Sequence, residues 1–213
     1  QGSDSSINKN TERLVKRGIK VFFNHNKKNI KKATMIVISS AIKKNNKELI
    51  AAKAKYLPII KRGEMLANIV SLKKNIVITG SHGKTTTTSL MANILAEAGL
   101  DPTVINGGVI NSINNTAHLG KGEWAVIEAD ESDGSFLELP ITYSIVTNID
   151  KEHLDFYKKF ETLKKSFKSF IEKTPYFGKS FICIDSNNLK SLNPKLKTNN
   201  FLTYGFNKKS NYQ

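Results

Sequence analysis

The run Gly80-Ser81-His82-Gly83-Lys84-Thr85-Thr86 has the residue types needed to hold a polyphosphate. Gly80 and Gly83 let the backbone turn so that its N–H groups face one point, and a helix starting there adds the positive end of its dipole. In such a loop Lys84 reaches the β and γ phosphates, and the Thr85 hydroxyl is placed for Mg2+. The spacing is a variant, Gly-x2-Gly-Lys-Thr, because Ile78 stands where the commoner pattern has its first glycine. A plain strand-to-helix turn with a capping threonine is the blander reading. Propensity alone does not explain Thr85 to Thr88, four poor helix formers in a row. His82 reads equally well as an exposed loop histidine. A second group of chemistry-bearing residues is acidic: ten of the eighteen Asp and Glu residues fall between Glu123 and Glu161, a stretch without arginine. Glu128 ends the apolar run 124–127 and is followed by Asp130, Glu131 and Asp133; Asp150, His153 and Asp155 follow a second apolar run. An acidic island in a basic chain is where a divalent cation is expected, although 130–133 also reads as a solvated acidic turn.

The elements that must position these residues show in the hydrophobic pattern. Strands are expected over 19–23, 34–39, 57–60, 75–79, 124–129, 143–149, 180–184 and 201–204. Helices are expected near 11–17 (stopped by Gly18), 46–56, 62–72, 85–98 and 160–172, the fourth with Leu90, Ile94 and Leu95 on one face. Such alternation favours an α/β fold with a mainly parallel sheet covered by helices. In a parallel sheet the breaks after 127 and 148 fall at carboxyl ends of strands, the edge where ligands bind in open α/β folds, so Glu128 and His153 could share one site with Lys84. A domain boundary is expected at Lys73-Lys74.

The formal net charge of +15 first suggests a nucleic-acid partner. Only Arg13, Arg17 and Arg62 among the 33 basic residues are arginines, and the lysines are spread along the chain, so coding bias toward lysine is the preferred account and no nucleic acid is expected. Cys183 lies in an apolar run and reads as a buried strand residue with neither a disulfide partner nor metal-ligand spacing, which fits a reducing, cytoplasmic compartment. No run approaches the length of a membrane span.

Five stretches then carry a resemblance to the Mur ligase family, most closely to its L-alanine-adding member. They are 79–89 (TGSHGKTTTTS), 107–111 (GGVIN), 117–124 (AHLGKGEW), 128–137 (EADESDGSFL) and 146–155 (VTNIDKEHLD). Weaker matches at 2–4, 39–42 and 62–66 resemble that ligase's UDP-sugar domain, while Asn24-His25, Asn46-Lys47-Glu48 and Arg62-Gly63-Glu64 depart from the usual pattern. The resemblance implies a partial Rossmann-like UDP-sugar-binding domain over 1–74 and a P-loop ATPase domain over 75–213. It implies ATP and Mg2+ as cofactors, and UDP-N-acetylmuramate and L-alanine as substrates, joined through an acyl phosphate in peptidoglycan biosynthesis. Lys84, Glu128 and His153 are the implied catalytic residues; Gly80, Ser81, His82, Gly83, Lys84, Thr85, Thr86 and Asn148 the nucleotide-binding set; Thr85, Glu128 and His153 the metal ligands. A family member that reattaches a recycled tripeptide is the rival reading. Some relatives carry a carbamylated lysine at an offset that falls here on Phe167, and the nearby Lys164 and Lys165 are expected on other, solvated helix faces. The chain lacks an initiator methionine and has the look of a piece of a longer protein, expected to be inactive alone.

Overall fold

The computed structural model describes residues 1–110 and 115–213; Asn111, in one of the matched stretches, lies outside them. The chain divides into two compact units, Gln1–Met65 and Leu66–Gln213.

The first unit contains β1 (Gly2–Ser3), α1 (Lys9–Lys16), β2 (Val21–Phe22), β3 (Ile36–Ile38), α2 (Lys47–Ala54) and β4 (Ile59–Lys61). Its strands form two short parallel pairs, β1 with β2 and β3 with β4. Asparagines start both helices. The Asn8 side chain accepts from the Asn10 and Thr11 N–H groups, and the Asn46 side chain from those of Glu48 and Leu49. Gly18, at φ +78°, stops α1.

The division between units falls inside α3 (Arg62–Val70), because Leu66, Ala67 and Val70 pack into the second unit's core. That unit continues through β5 (Lys74–Thr79), α4 (Lys84–Glu97), β6 (Thr103–Ile110), β7 (Asn115–His118), β8 (Trp124–Glu128), β9 (Tyr143–Val146), α5 (Leu154–Tyr157), α6 (Phe160–Glu172), β10 (Lys179–Cys183), α7 (Asn187–Leu192) and β11 (Phe201–Tyr204). Its seven strands lie in the order β11-β10-β9-β5-β8-β6-β7, all parallel except the β6–β7 pair. The sheet is mainly parallel, as the alternating pattern implies, but the β6–β7 hairpin and the short helices α5 and α7 are additions to it.

Side chains alternate between two faces along β5. Val77 faces a core with Ala125, Ile127, Val146 and the apolar side of α6; Ile76 and Ile78 face a second core with Val104, Val126 and Ala92 of α4. In α6 the spacing of Leu163, Phe167, Phe170 and Ile171 puts all four on one buried face. Phe136 lies 5.4 Å from Phe167 and 5.2 Å from Phe170, ring centre to ring centre, so Phe167 is a core residue. Lys165 is exposed, but Lys164 is not simply solvated: its ammonium lies 5.5 Å from the centre of the Phe160 ring and pairs with Glu161. The buried face of α4 also differs from expectation. Thr88 and Ala92 are buried with Met91 and Leu95 partly so, whereas Leu90 and Ile94 are exposed; the small residues let the helix lie close to the sheet. Cys183 is in β10 as expected but is half-buried, with a free thiol. No helix among the described residues is long and apolar enough to cross a membrane.

Candidate nucleotide and metal site

The central strands β8, β5 and β9 are in parallel register, with Ile78 beside Glu128 and Thr79 beside Val146, so their carboxyl ends meet at one edge. Three chain segments leave that edge together: 80–83 after β5, 129–133 after β8, and 147–153 after β9. They carry the residues singled out by the sequence.

The loop after β5 is held in shape by the segment after β9. Asn148 grips residue 82 from both sides: its Oδ1 accepts the His82 N–H at 2.8 Å and its Nδ2 donates to the His82 carbonyl at 3.0 Å. The Thr147 hydroxyl donates to the same carbonyl at 2.7 Å, and the Ser81 N–H donates to the Asn148 carbonyl at 3.1 Å. Buried Ser81 accepts the Asp150 N–H at 2.8 Å through its Oγ. This closeness requires glycine at 80. Its φ is +139°, and a Cβ there would lie 2.1 Å from Thr147 Oγ1 and 3.0 Å from both the N and O of Asn148.

Gly83, at φ +81°, is the N-cap of the 14-residue α4 and supplies no side-chain cap. The first-turn N–H groups, including those of Lys84, Thr85 and Thr86, are therefore left for an anion, with the helix dipole behind them. The loop fits a phosphate chain. Thr86 is exposed on this turn, and exposed His82 reaches sideways, with Nε2 3.2 Å from Asp150 Oδ2.

The acidic residues separate into two groups. Glu128, the last residue of β8, accepts the Thr85 hydroxyl at 3.2 Å on Oε1 and the Gly107 N–H at 2.8 Å on Oε2. A Cβ on Gly107 would sit 2.9 Å from Glu128 Oε1, so a larger residue in β6 would push the carboxylate away from Thr85. These two oxygen donors suit a hard cation. His153 is not beside them in the hydrogen-bonding pattern; its Nε2 lies 3.5 Å from Glu131 Oε1 and 4.0 Å from Glu152 Oε2. Ligand atoms of Glu131, Glu152 and His153 all fall within 4.8 Å of one another, close enough to share an ion. His153 adopts a left-handed backbone, φ +55°, at the start of the one-turn α5, and Lys158 at φ +64° ends that turn. Strained backbone of this kind concentrates at functional sites.

Glu131 is the residue that sequence reasoning underrates. The reading of 130–133 as a solvated turn holds for exposed Asp130 but fails at Glu131, whose side chain has no solvent exposure. Its carboxylate meets Lys84 Nζ at 3.2 Å through Oε1, a hydrogen bond, and at 3.0 Å through Oε2, which is in ion-pair range without hydrogen-bond geometry. Lys84 Nζ also donates to the carbonyls of Gly80 at 2.5 Å and Ser81 at 3.2 Å. The Tyr157 hydroxyl fixes the Glu131 backbone by donating to its carbonyl at 2.5 Å. Burial, and then the Glu131 charge, push that phenol up to about 12, so it stays a donor through the neutral range. A weak signal for Glu131 existed in its spacing, three residues beyond Glu128 and still close to the strand end.

The first unit has its own cleft, about 620 Å3, lined among others by Ser3, Asp4, Asn29, Met35, Glu48 and Arg62. Glu48 organises one wall. It accepts from Ser3 Oγ at 2.6 Å and Asn29 Nδ2 at 2.6 Å, with His25 Nδ1 at 3.3 Å. Burial alone would raise its carboxyl, but the Ser3, Asn29 and His25 contacts outweigh that and hold it below the usual glutamate range. His25 and Glu48, which lie next to the departures from the family pattern at Asn24 and Lys47, thus meet in one network.

Comparison with known proteins places this geometry. The Mur ligase middle domain profile matches residues 78–213, and the profile described as Mur ligase family, catalytic domain, matches residues 1–74. The UDP-N-acetylmuramate–L-alanine ligase of Pelagibacter ubique is 66% identical over 212 residues, covering 100% of this chain and 46% of that protein. The ligase of the same name from Parvibaculum lavamentivorans is 51% identical, covering 97% of this chain and 42% of its own length. The chain thus spans about half the length of the curated relatives it matches. Among solved structures, the UDP-N-acetylmuramate-alanine ligase of Thermotoga maritima superposes with a TM-score of 0.84 at 27% identity, over 98% of this chain and 47% of that one. The tripeptide-adding ligase of Neisseria meningitides shares the fold, with a TM-score of 0.86 at 24% identity over 96% of this chain and 69% of its own. With a family profile matched across most of its length and a Mur ligase fold, the chain belongs to the Mur ligase family.

Proposed function

We propose that this chain supplies the phosphate loop and the UDP-sugar cleft of an ATP-dependent, ADP-forming ligase that joins L-alanine to UDP-N-acetylmuramate in the cytoplasm, for peptidoglycan. The observation that carries this reading is the placing of Lys84 and Thr85 at the uncapped head of α4, between the acidic ends of β8 and β9. In this reading residues 1–74 hold the UDP-sugar and 75–213 the nucleotide. The lactyl carboxylate oxygen bonds to the γ-phosphorus as the bond to ADP breaks, giving an acyl phosphate. The alanine amine then adds to the acyl carbon, loses a proton, and phosphate departs.

The protein's part in both steps is positioning and charge neutralisation. The N–H groups of the 80–86 run cradle the phosphates, Asn148 keeps the loop in shape through His82, and Lys84 offsets the charge developing on the transferred group. Thr85, Glu128 and His153 are assigned to hold Mg2+, which when bound neutralises phosphate oxygens. Thr85 and Glu128 support that assignment by lying in hydrogen-bond contact, and His153 by lying against two further carboxylates.

The test uses the complete gene product that contains these residues, supplied with ATP, Mg2+, UDP-N-acetylmuramate and labelled alanine. Labelled UDP-N-acetylmuramoyl-alanine and equimolar ADP are expected, and Lys84→Ala abolishes both. Alanine-dependent phosphate release that survives Lys84→Ala defeats the assignment of the loop; a preference for tripeptide over alanine in competition defeats the assignment of substrate.

A further inference from the structure

An ammonium group has three N–H donors. In Lys84 the carbonyls of Gly80 and Ser81 and the carboxylate of Glu131 account for all three. A phosphate on this loop can bond to Lys84 only by taking a donor from one of them. The two carbonyls are neutral and belong to the loop itself. Glu131 is fully buried, with its backbone carbonyl fixed by Tyr157, and as a carboxylate it is the strongest of the three competitors.

From this arithmetic we infer that Glu131 is a positioning residue for Lys84: it holds the ammonium at the mouth of the loop and sets how tightly the loop takes phosphate. The inference rests on the nucleotide-binding reading above and extends it to a residue that reading does not use. Glu131 acts through Lys84, without touching the nucleotide. It keeps the loop's one lysine from collapsing onto other acids at this edge, at the cost of affinity for the phosphate chain. The geometry also gives the released carboxylate somewhere to turn, since His153 Nε2 is 3.5 Å from its Oε1.

The experiment measures ADP binding by calorimetry in the complete gene product, once with Mg2+ and once with EDTA. Glu131→Gln keeps the shape and removes the charge. With EDTA it should tighten ADP binding about tenfold, because a charge-assisted competitor becomes a neutral one. In the ligation assay the KM for ATP should fall while kcat falls too, as Lys84 loses its fixed place; a residue that only supports the fold would raise KM or leave it alone. Unchanged or weaker ADP binding by Glu131→Gln overturns the inference. Failure of the unsubstituted protein to bind ADP even with Mg2+ overturns instead the nucleotide reading on which it rests. Should Glu131→Gln alone not fold, urea denaturation still decides. Lys84→Ala must lower the midpoint by stranding the buried carboxylate, and Lys84→Ala/Glu131→Gln must restore it; equal midpoints for these two variants show that the residues are not coupled.

Discussion

Replacing Gly80 by alanine isolates how far the phosphate loop depends on its close fit against β9. The new methyl group would be placed 2.1 Å from Thr147 Oγ1 and 3.0 Å from two backbone atoms of Asn148, on a residue with φ +139°. A non-glycine residue in such a region costs about 1–3 kcal/mol. Displacing the Thr147 hydroxyl loses its bond to the His82 carbonyl, about 1 kcal/mol. The remaining contacts are with backbone, which moves only by shifting the loop or the end of β9, and overpacking of that kind costs about 1–3 kcal/mol. Together these give a loss of about 3–7 kcal/mol, against a typical total stability of about 5–15 kcal/mol. Gly83→Ala is the control. It also has positive φ, +81°, but nothing lies within 4 Å of its Cβ, so only the left-handed backbone costs anything, about 1–2 kcal/mol. Urea denaturation of the three proteins should therefore rank Gly80→Ala well below Gly83→Ala, and adding Thr147→Ala to Gly80→Ala should recover part of the difference. If the two glycine variants lose the same stability within about 1 kcal/mol, the tight packing of residue 80 against 147–148 is not what shapes the loop.

Other substitutions probe the remaining parts. Asn148→Ala removes both bonds to residue 82 and should cost about 1–3 kcal/mol in urea denaturation while weakening ADP binding; unchanged affinity would mean the loop keeps its shape without the clamp. Phe167→Ala empties a fully buried site beside Phe136 and should cost about 3–5 kcal/mol, read from the same denaturation curves. Glu128→Gln should raise the Mg2+ concentration needed for half-maximal ligation with little change in thermal midpoint, whereas an unchanged metal midpoint would take Glu128 out of the cation's surroundings. Glu48 is held below its ordinary value in the folded chain, so its contribution to stability is present above the unfolded value and is lost as pH falls through the folded one. Glu48→Gln should flatten that acid-side loss in a series of thermal melts, and a curve parallel to the unsubstituted protein would contradict the network's role.

Much of this arrangement was legible because it is local. Strand 75–79, the glycine turn and the following helix lie in one continuous run of sequence, and the apolar runs that become β8 and β9 stop abruptly at their functional ends. The β6–β7 hairpin was not legible. Residues 103–118 fall outside the expected strands, since glycine weakens a strand, and Gly107 and Gly108 stand in β6 where Glu128 and Thr85 approach from elsewhere in the chain. The buried face of α4 misled for a related reason: hydrophobicity favours Leu90 and Ile94, but closeness to the sheet selects Thr88 and Ala92. Glu131 was hidden because its partners are remote, Tyr157 at 26 residues and Lys84 at 47, and no periodicity reports such a meeting.

The clamp from Thr147 and Asn148 also bears on the tempo of binding. A loop already tied down at residues 81 and 82 has little conformational freedom left to surrender when an anion arrives. Capture should then resemble docking onto a rigid surface, with fast association that varies little between nucleotides. Discrimination among ATP, ADP and free phosphate would be expressed almost wholly in how long each stays. Stopped-flow traces should show single-phase association proportional to nucleotide concentration, without the saturating step that marks a loop closing after contact.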